Sequence, residues 1–358
     1  MQDTEYASPF SNFTRWQRWI FVGINAFFVV AGLCVGNLLG RFYYDQGGKS
    51  KWMATFVQSA GFPILWLPLL LFSPSRGARI EASSSKWKVG LMYLILGAIT
   101  AGDNWLYSIG LLYLSVSTYS LICTSQLAFT AITSYFLNSQ KFTFPIISSV
   151  VVLTASAALI GLDEDANRPD GVSQGKYIFG FVCTIAASAL YALLLSLIQV
   201  TFERVIKKET FKVVLDMQIY PSLVATCLTL VGLFASGEWK TLHGEMRTFR
   251  KGTAAYVLTL VFAAVSWQLC SLGLVGLIFV VSSLFSNVVS TVALVVSPVA
   301  AVIVFHDKMN GAKGVAMFLA VYGFVCYGYH NYLDDDKKKK LKSGDPDTVG
   351  GLARVQLV

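Results

Sequence analysis

Charge is what this sequence has least of. Asp, Glu, Lys and Arg make up 13% of its 358 residues, about half the share of a soluble domain, while 55% are hydrophobic and 14% aromatic. So little polar surface excludes a soluble globular fold of this length and points to a polytopic membrane protein. Histidine is scarce too: His243, His306 and His330 fall in loops or at a helix end, where solvated roles are expected. The six cysteines, Cys34, Cys123, Cys183, Cys227, Cys270 and Cys326, all lie in apolar runs without the paired spacing of a metal site. They read as small core residues, not as a disulfide framework. No His/Glu set, Ser/His or Ser/Lys pair, or pair of carboxylates stands out within the apolar runs, which argues against an intramembrane enzyme. The net charge of +8 comes from short loops and the tail "DDDKKKKLKSG" and not from one basic face, so it reads as topology signalling and no nucleic-acid partner is expected. No cofactor and no metal are expected.

Apolar runs of about 20 residues, each able to cross a ~30 Å hydrocarbon core as a helix, recur along the chain. Ten spans are predicted: Trp19 to Tyr43, Met53 to Phe72, Trp87 to Leu112, Ser115 to Leu137, Phe144 to Leu162, Tyr177 to Val200, Lys212 to Ser236, Thr253 to Leu277, Val280 to Phe305 and Ala312 to Tyr332. Residues 1–18 are polar and lead into a run too long for a signal-peptide core, so the first span is expected to be retained. An even number of spans puts both termini on one side. The basic stretches "SRGARIEASSSKWK" and "ERVIKKETFK" make that side the cytoplasm, with the acidic loop "DEDANRPDG" outside; the basic loop "GEWKTLHGEMRTFRK" runs against this bias.

A repeat lies within the pattern. Laying "WLYSIGLLYLS" over "QLCSLGLVGLI" matches Leu106, Ser108, Gly110 and Leu111 to Leu269, Ser271, Gly273 and Leu274 at a constant offset of 163, and Lys141 matches Lys308 at 167. Each half then reads as a five-helix unit, 19–162 and 177–332. These are flanked by a cytoplasmic segment 1–18 and a basic cytoplasmic tail 333–358, and joined by an extracytoplasmic loop 163–176. An odd count per unit inserts the second upside down relative to the first. Such inverted repeats mark transporters, whose sites lie near the midplane between the halves. A receptor or channel would leave the repeat without a reason.

Two blocks, "NLLGRFYYDQGGKSKWMATFVQSAGFPILWLPLLL" from Asn37 to Leu71 and "GDNWLYSIGLLYLSVSTYSLICTSQLAFTA" from Gly102 to Ala131, strongly resemble the plant purine permease family, within the drug/metabolite transporter superfamily. The likeness extends over nearly all ten spans. It implies an uptake carrier for adenine-like purines and their derivatives, cytokinins included, driven by a proton gradient. Members of that family differ in cargo, and some carry alkaloids or vitamin B6 related compounds.

The polar groups inside the spans define the candidate site. Asp103 lies ~24 Å along its helix, past the midplane. A carboxylate there costs on the order of 2.5–3.5 kcal/mol, and an intramembrane acid of this kind is the sort of group that takes up a proton on one side and releases it on the other. Its repeat equivalent is Ser266, so a proton site at Asp103 would be asymmetric. Asp216, beside Lys212, and Glu203, past the end of its span, are poorer candidates. The competing reading of Asp103 is an acid satisfied by neighbouring groups that fixes packing. A flat heteroaromatic base needs aromatic faces to stack on and carboxamides to match its edge. Asn104 and Tyr107 share a face of the third span, with Trp105 beside them, and Gln126 shares a stripe of the fourth with Tyr119, Cys123 and Thr130. In the second half Trp267 and Gln268 are the counterparts of Asn104 and Trp105, and Asn287 with Ser283 and Ser290 forms a polar stripe. Tyr191, Asn37 and Gln58 complete the expected binding set. For the amides, the alternative is interhelical hydrogen bonding. Trp16, Trp19, Trp52, Trp87, Tyr43 and Tyr44 sit at span ends and read as interfacial belt residues.

The sequence therefore reads as an all-α membrane protein of two inverted five-helix repeats. Its expected function is alternating-access, proton-coupled import of purine bases and derivatives, with plasma membrane as the expected location. The rival mechanism is a facilitator without proton coupling, and the sequence leaves the exact cargo and the oligomeric state open.

Overall fold

In hydrocarbon every backbone N–H and C=O must be paired within the protein, and this chain does so with helices. The computed structural model describes residues 15–66, 86–138, 171–206, 211–281, 283–306 and 309–323, with isolated positions at 147–148, 151–152, 155, 169 and 325. Among the described residues there is no strand. The helices are α1 (Arg15–Asp45), α2 (Lys51–Ala60), α3 (Lys86–Tyr113), α4 (Val116–Cys123), α5 (Gln126–Asn138), α6 (Gln174–Val200), α7 (Phe211–Ala235), α8 (Leu242–Thr248), α9 (Thr253–Val280) and α10 (Ser283–Phe305). A shorter apolar helix, α11, covers Gly311–Gly323.

Among the described residues, seven stretches are long and apolar enough to cross a membrane: Trp19–Asp45, Trp87–Tyr113, Val116–Leu137, Gln174–Ile206, Lys212–Ala235, Thr253–Val280 and Phe285–Phe305. They answer to the first, third, fourth and sixth to ninth of the predicted spans. Most of the predicted fifth span, the far end of the second, most of the segment 1–18, half of the loop 163–176, most of the end of the tenth span and the tail 333–358 lie outside the described residues.

Several boundaries differ from the sequence pattern, each for a local reason. Helix α1 begins at Arg15, inside the segment expected to precede it. The second span stops as an α-helix at Ala60, and Phe62–Leu65 continue as a 3-10 turn with Pro63 at its start, where proline has no N–H to give to an α-helical ladder. The fourth span is two helices: at Thr124 and Ser125 the amides reach back three residues, to Leu121 and Ile122, and the Thr124 hydroxyl takes the Leu121 carbonyl at 2.6 Å. Val280 belongs to α9, not to the ninth span. Helix α6 runs on into a π-helical turn, Thr201–Ile206. Pro221 lies inside α7 and Pro298 inside α10.

Helix α1 packs most extensively on α9, and α3 on α6; α3 also packs on α7, α2 on both α7 and α9, α5 on α6, and α1 and α4 on α10. The repeat-matched glycines sit at two of these contacts. A Cβ on Gly110 would run into the Thr184 hydroxyl of α6, and one on Gly273 would stand 2.6 Å from the Asn25 carbonyl of α1. Both permit close helix approach.

The connection between α7 and α9 folds back onto the start of α2. Glu245, buried at 6% exposure, accepts from the Tyr43 hydroxyl, from the Tyr256 hydroxyl at 3.2 Å, and from the amides of Lys49 and Ser50 at 3.0 and 3.2 Å. Glu238 accepts from the Ser50 hydroxyl at 2.7 Å and the Trp52 amide at 3.1 Å. Two carboxylates thus serve the amide-rich N-terminal end of α2, where negative charge is favoured. This explains why Tyr43 is not in the interfacial belt: it is buried against Glu245, and Tyr44, also buried, donates to the Ser108 carbonyl at 3.2 Å. Trp16, Trp19 and Trp87 are exposed, as belt residues should be.

Candidate functional site

A cavity of about 1030 Å³, counted out to its open side, is lined by α1, α2, α3, α6, α7 and α9, with Tyr119 and Cys123 of α4, Gln126 of α5 and Leu294 of α10 also in its wall. Asp103 of α3 lines it, 3% exposed, and its Oδ1 has no hydrogen-bond partner among the described residues. The acid is thus not tied into packing through that oxygen. No ion pair reaches it among the described residues either; Arg41, on α1, is paired with Asp45 at 2.9 Å.

Aromatic faces come from four helices. Tyr107 of α3 meets Tyr119 of α4 edge to face, ring centres 5.8 Å apart, and Tyr191 of α6 at 6.5 Å. Trp267 of α9 lies against α1 where Gly36 leaves room for the indole. All four line the cavity. A flat ring could enter here against tyrosine edges or the indole plane.

Carboxamides line the same space. Asn37, Gln58, Asn104 and Gln126 are all in the wall. The Gln58 amide nitrogen lies 2.8 Å from Ser108 Oγ and 3.4 Å from the carbonyls of Ala54 and Asn104. Gln126 donates to Ser290 Oγ at 2.9 Å.

Four residues of the expected set lie outside the lining. Trp105 packs on Trp52, ring centres 5.7 Å apart. Gln268 is buried, 1% exposed, with neither side-chain polar atom bonded among the described residues. Asn287 and Ser290 stand behind Gln126, bonded to it and to Thr130. Conversely, the cavity takes in Gln218 and Ser222 of α7, bonded to each other at 3.1 Å, which the sequence reading passed over. For Gln218 the signal in the sequence is an amide inside an apolar span.

With this geometry in view, the relatives of the chain decide its family. The profile described as purine nucleobase transmembrane transport matches residues 20–338. The chain belongs to the purine permease family. It is 60% identical over 336 residues to probable purine permease 11 of Arabidopsis thaliana, covering 94% of this chain and 89% of that protein. It is 53% identical over 334 residues to probable purine permease 13 of the same plant, covering 93% and 91%, and 51% identical over 345 residues to putative purine permease 12, covering 96% of each. As a purine permease the protein is a multi-pass membrane transporter of small heterocyclic molecules, not an enzyme.

Proposed function

We propose that this permease imports purine bases and their derivatives, adenine and cytokinins among them, by alternating access coupled to a proton, with the cargo held in the α1–α9 cavity and the proton on Asp103. The observation that carries the reading is the wall itself: a carboxyl group with one partnerless oxygen, five carboxamides and four aromatic side chains line a single space. Asn37, Gln58, Asn104 and Gln126 then read the edge of the base, and Tyr107, Tyr119, Tyr191 and Trp267 contact its faces. Trp105, Gln268, Asn287 and Ser290 act from behind this layer.

The proposed architecture is ten helices in two inverted units, 19–162 and 177–332, with segments 1–18 and 333–358 in the cytoplasm, the loop 163–176 outside, and the plasma membrane as location. The pattern of helix contacts supports it. Exchanging the first span for the sixth, the second for the seventh, the third for the eighth and the fourth for the ninth turns the α1–α9 contact into α6–α3, the α2–α9 contact into α7–α3, and the α1–α10 contact into α6–α5. Each of those partners is present. Matched contacts of this sort are what two rocking halves require.

The test is uptake of labelled adenine, and of a labelled cytokinin, into liposomes holding the purified protein. The expected result is saturable uptake that accumulates above equilibrium under an inward proton gradient, and Asp103→Asn that still exchanges base but no longer accumulates it. Accumulation that ignores the gradient in both proteins would favour the uncoupled facilitator. Absence of saturable uptake of either compound, with other heterocycles such as pyridoxine transported, would replace the cargo.

A further inference from the structure

Which end of an amide faces a cavity can be settled by what the other end touches, because a backbone carbonyl only accepts and a hydroxyl has one proton to give. The hydrogen bonds behind Gln126 form such a chain. The Asn287 side chain lies 3.3 Å from the Gln126 backbone carbonyl and also contacts Thr130 Oγ1, which itself stands 2.9 Å from that same carbonyl. The carbonyl demands donors, so the Thr130 proton goes to it, and the Asn287 atom beside both is the nitrogen. Asn287 Oδ1 is therefore the end turned to Ser290, 3.0 Å away, and the Asn287 backbone carbonyl lies 2.9 Å from the same hydroxyl. Both are acceptors, so Ser290 spends its only proton on them. What remains on Ser290 Oγ is a lone pair, and the Gln126 atom 2.9 Å from it must be the N–H end.

Gln58 is constrained in the same way. One end of its amide is within 3.4 Å of two backbone carbonyls, Ala54 and Asn104, and so is the nitrogen.

We infer that Gln58 and Gln126 both present their carbonyl oxygens to the cavity, and that the permease recognises its cargo through N–H donors, with Thr130, Asn287 and Ser290 as positioning residues that hold Gln126 in this sense. The site then selects for amino-substituted or ring N–H heteroaromatics and against isosteres in which a methyl replaces the donor. A site built to bond a donor leaves its own buried acceptor unpaired when the donor is missing, and this gives strong discrimination. The inference rests on the cavity being the cargo site, as proposed above.

The experiment compares liposome uptake of adenine with two analogues: 6-methylpurine, in which a methyl group of similar size replaces the 6-amino group, and 9-methyladenine, in which the ring N–H is blocked. Wild type is expected to favour adenine over at least one of them by 10-fold or more in uptake efficiency. Ser290→Ala removes the lone pair that holds the Gln126 nitrogen, the amide becomes free to turn, and the preference should fall below about 3-fold. Ser290→Thr keeps the oxygen and should keep the preference. Gln126→Met is a second route to the same loss should Ser290→Ala fold poorly. A steric penalty from the added methyl would persist in Ser290→Ala, so it cannot imitate the expected result. Equal uptake of all three compounds by wild type, or an unchanged preference in both Ser290→Ala and Gln126→Met, would overturn this inference while leaving purine transport intact. No uptake of adenine or of either analogue would overturn the proposed function and this inference with it.

Discussion

Gln218 shows how much a single amide in this wall should matter. It lines the cavity from α7 and donates to Ser222, so replacing it with leucine removes polar capacity while keeping the bulk. An uncompensated neutral hydrogen bond to cargo is worth about 1–1.5 kcal/mol, and Gln218→Leu should raise the KM for adenine about 10-fold with little change in the amount of folded protein. An unchanged KM would take Gln218 out of the binding set. At this scale much was legible in the sequence, because a polar group in a twenty-residue apolar run has few reasons to exist: Asp103, Asn104, Gln126 and Trp267 do share one space. What could not be read was depth. Asn287 and Ser290 carry the same signature as Gln126, and only the register between α5 and α10 puts them behind it.

Among the helices, the repeat-matched glycines make a graded prediction. Gly273 faces a backbone carbonyl of α1, which cannot rotate away, whereas Gly110 faces the tip of the Thr184 side chain, which can. Gly273→Ala should therefore lower thermal stability in detergent by the larger amount, on the order of 1–3 kcal/mol, and Gly110→Ala by less. Equal losses would mean that α1 yields as readily as a threonine rotamer. Span positions were legible because about 20 apolar residues in a row have few soluble alternatives. Breaks were not: the division at Thr124 depends on a hydroxyl competing for a carbonyl, and apolar periodicity says nothing about that. Tyr43 misled for a related reason. A tyrosine at a span end fits the interfacial belt, and its burial is due to Glu245, some two hundred residues further on.

For the whole molecule, orientation is the property that the basic loop between α7 and α9 puts to the test. Lys251 follows α8, and Glu203 lies in the π-helical turn before α7; both are exposed, at opposite ends of α7. With the termini cytoplasmic, an impermeant maleimide should label Lys251→Cys in intact cells and Glu203→Cys only after permeabilisation, each compared with the parent protein. The reverse pattern would invert the molecule and make the same carrier an exporter under the same gradient. The Glu245 and Glu238 contacts would then close the cytoplasmic side.

The two prolines inside helices act beyond their own positions. Proline offers no N–H, so Pro221 deprives the Met217 carbonyl of its helical donor, and Pro298 does the same to Leu294. Met217 and Leu294 are both wall residues of the cavity. Main-chain oxygens of this kind are invisible to alanine scanning, since no side-chain substitution at 217 or 294 deletes them. Only a change at Pro221 or Pro298 that restores the missing N–H would reach these two carbonyls.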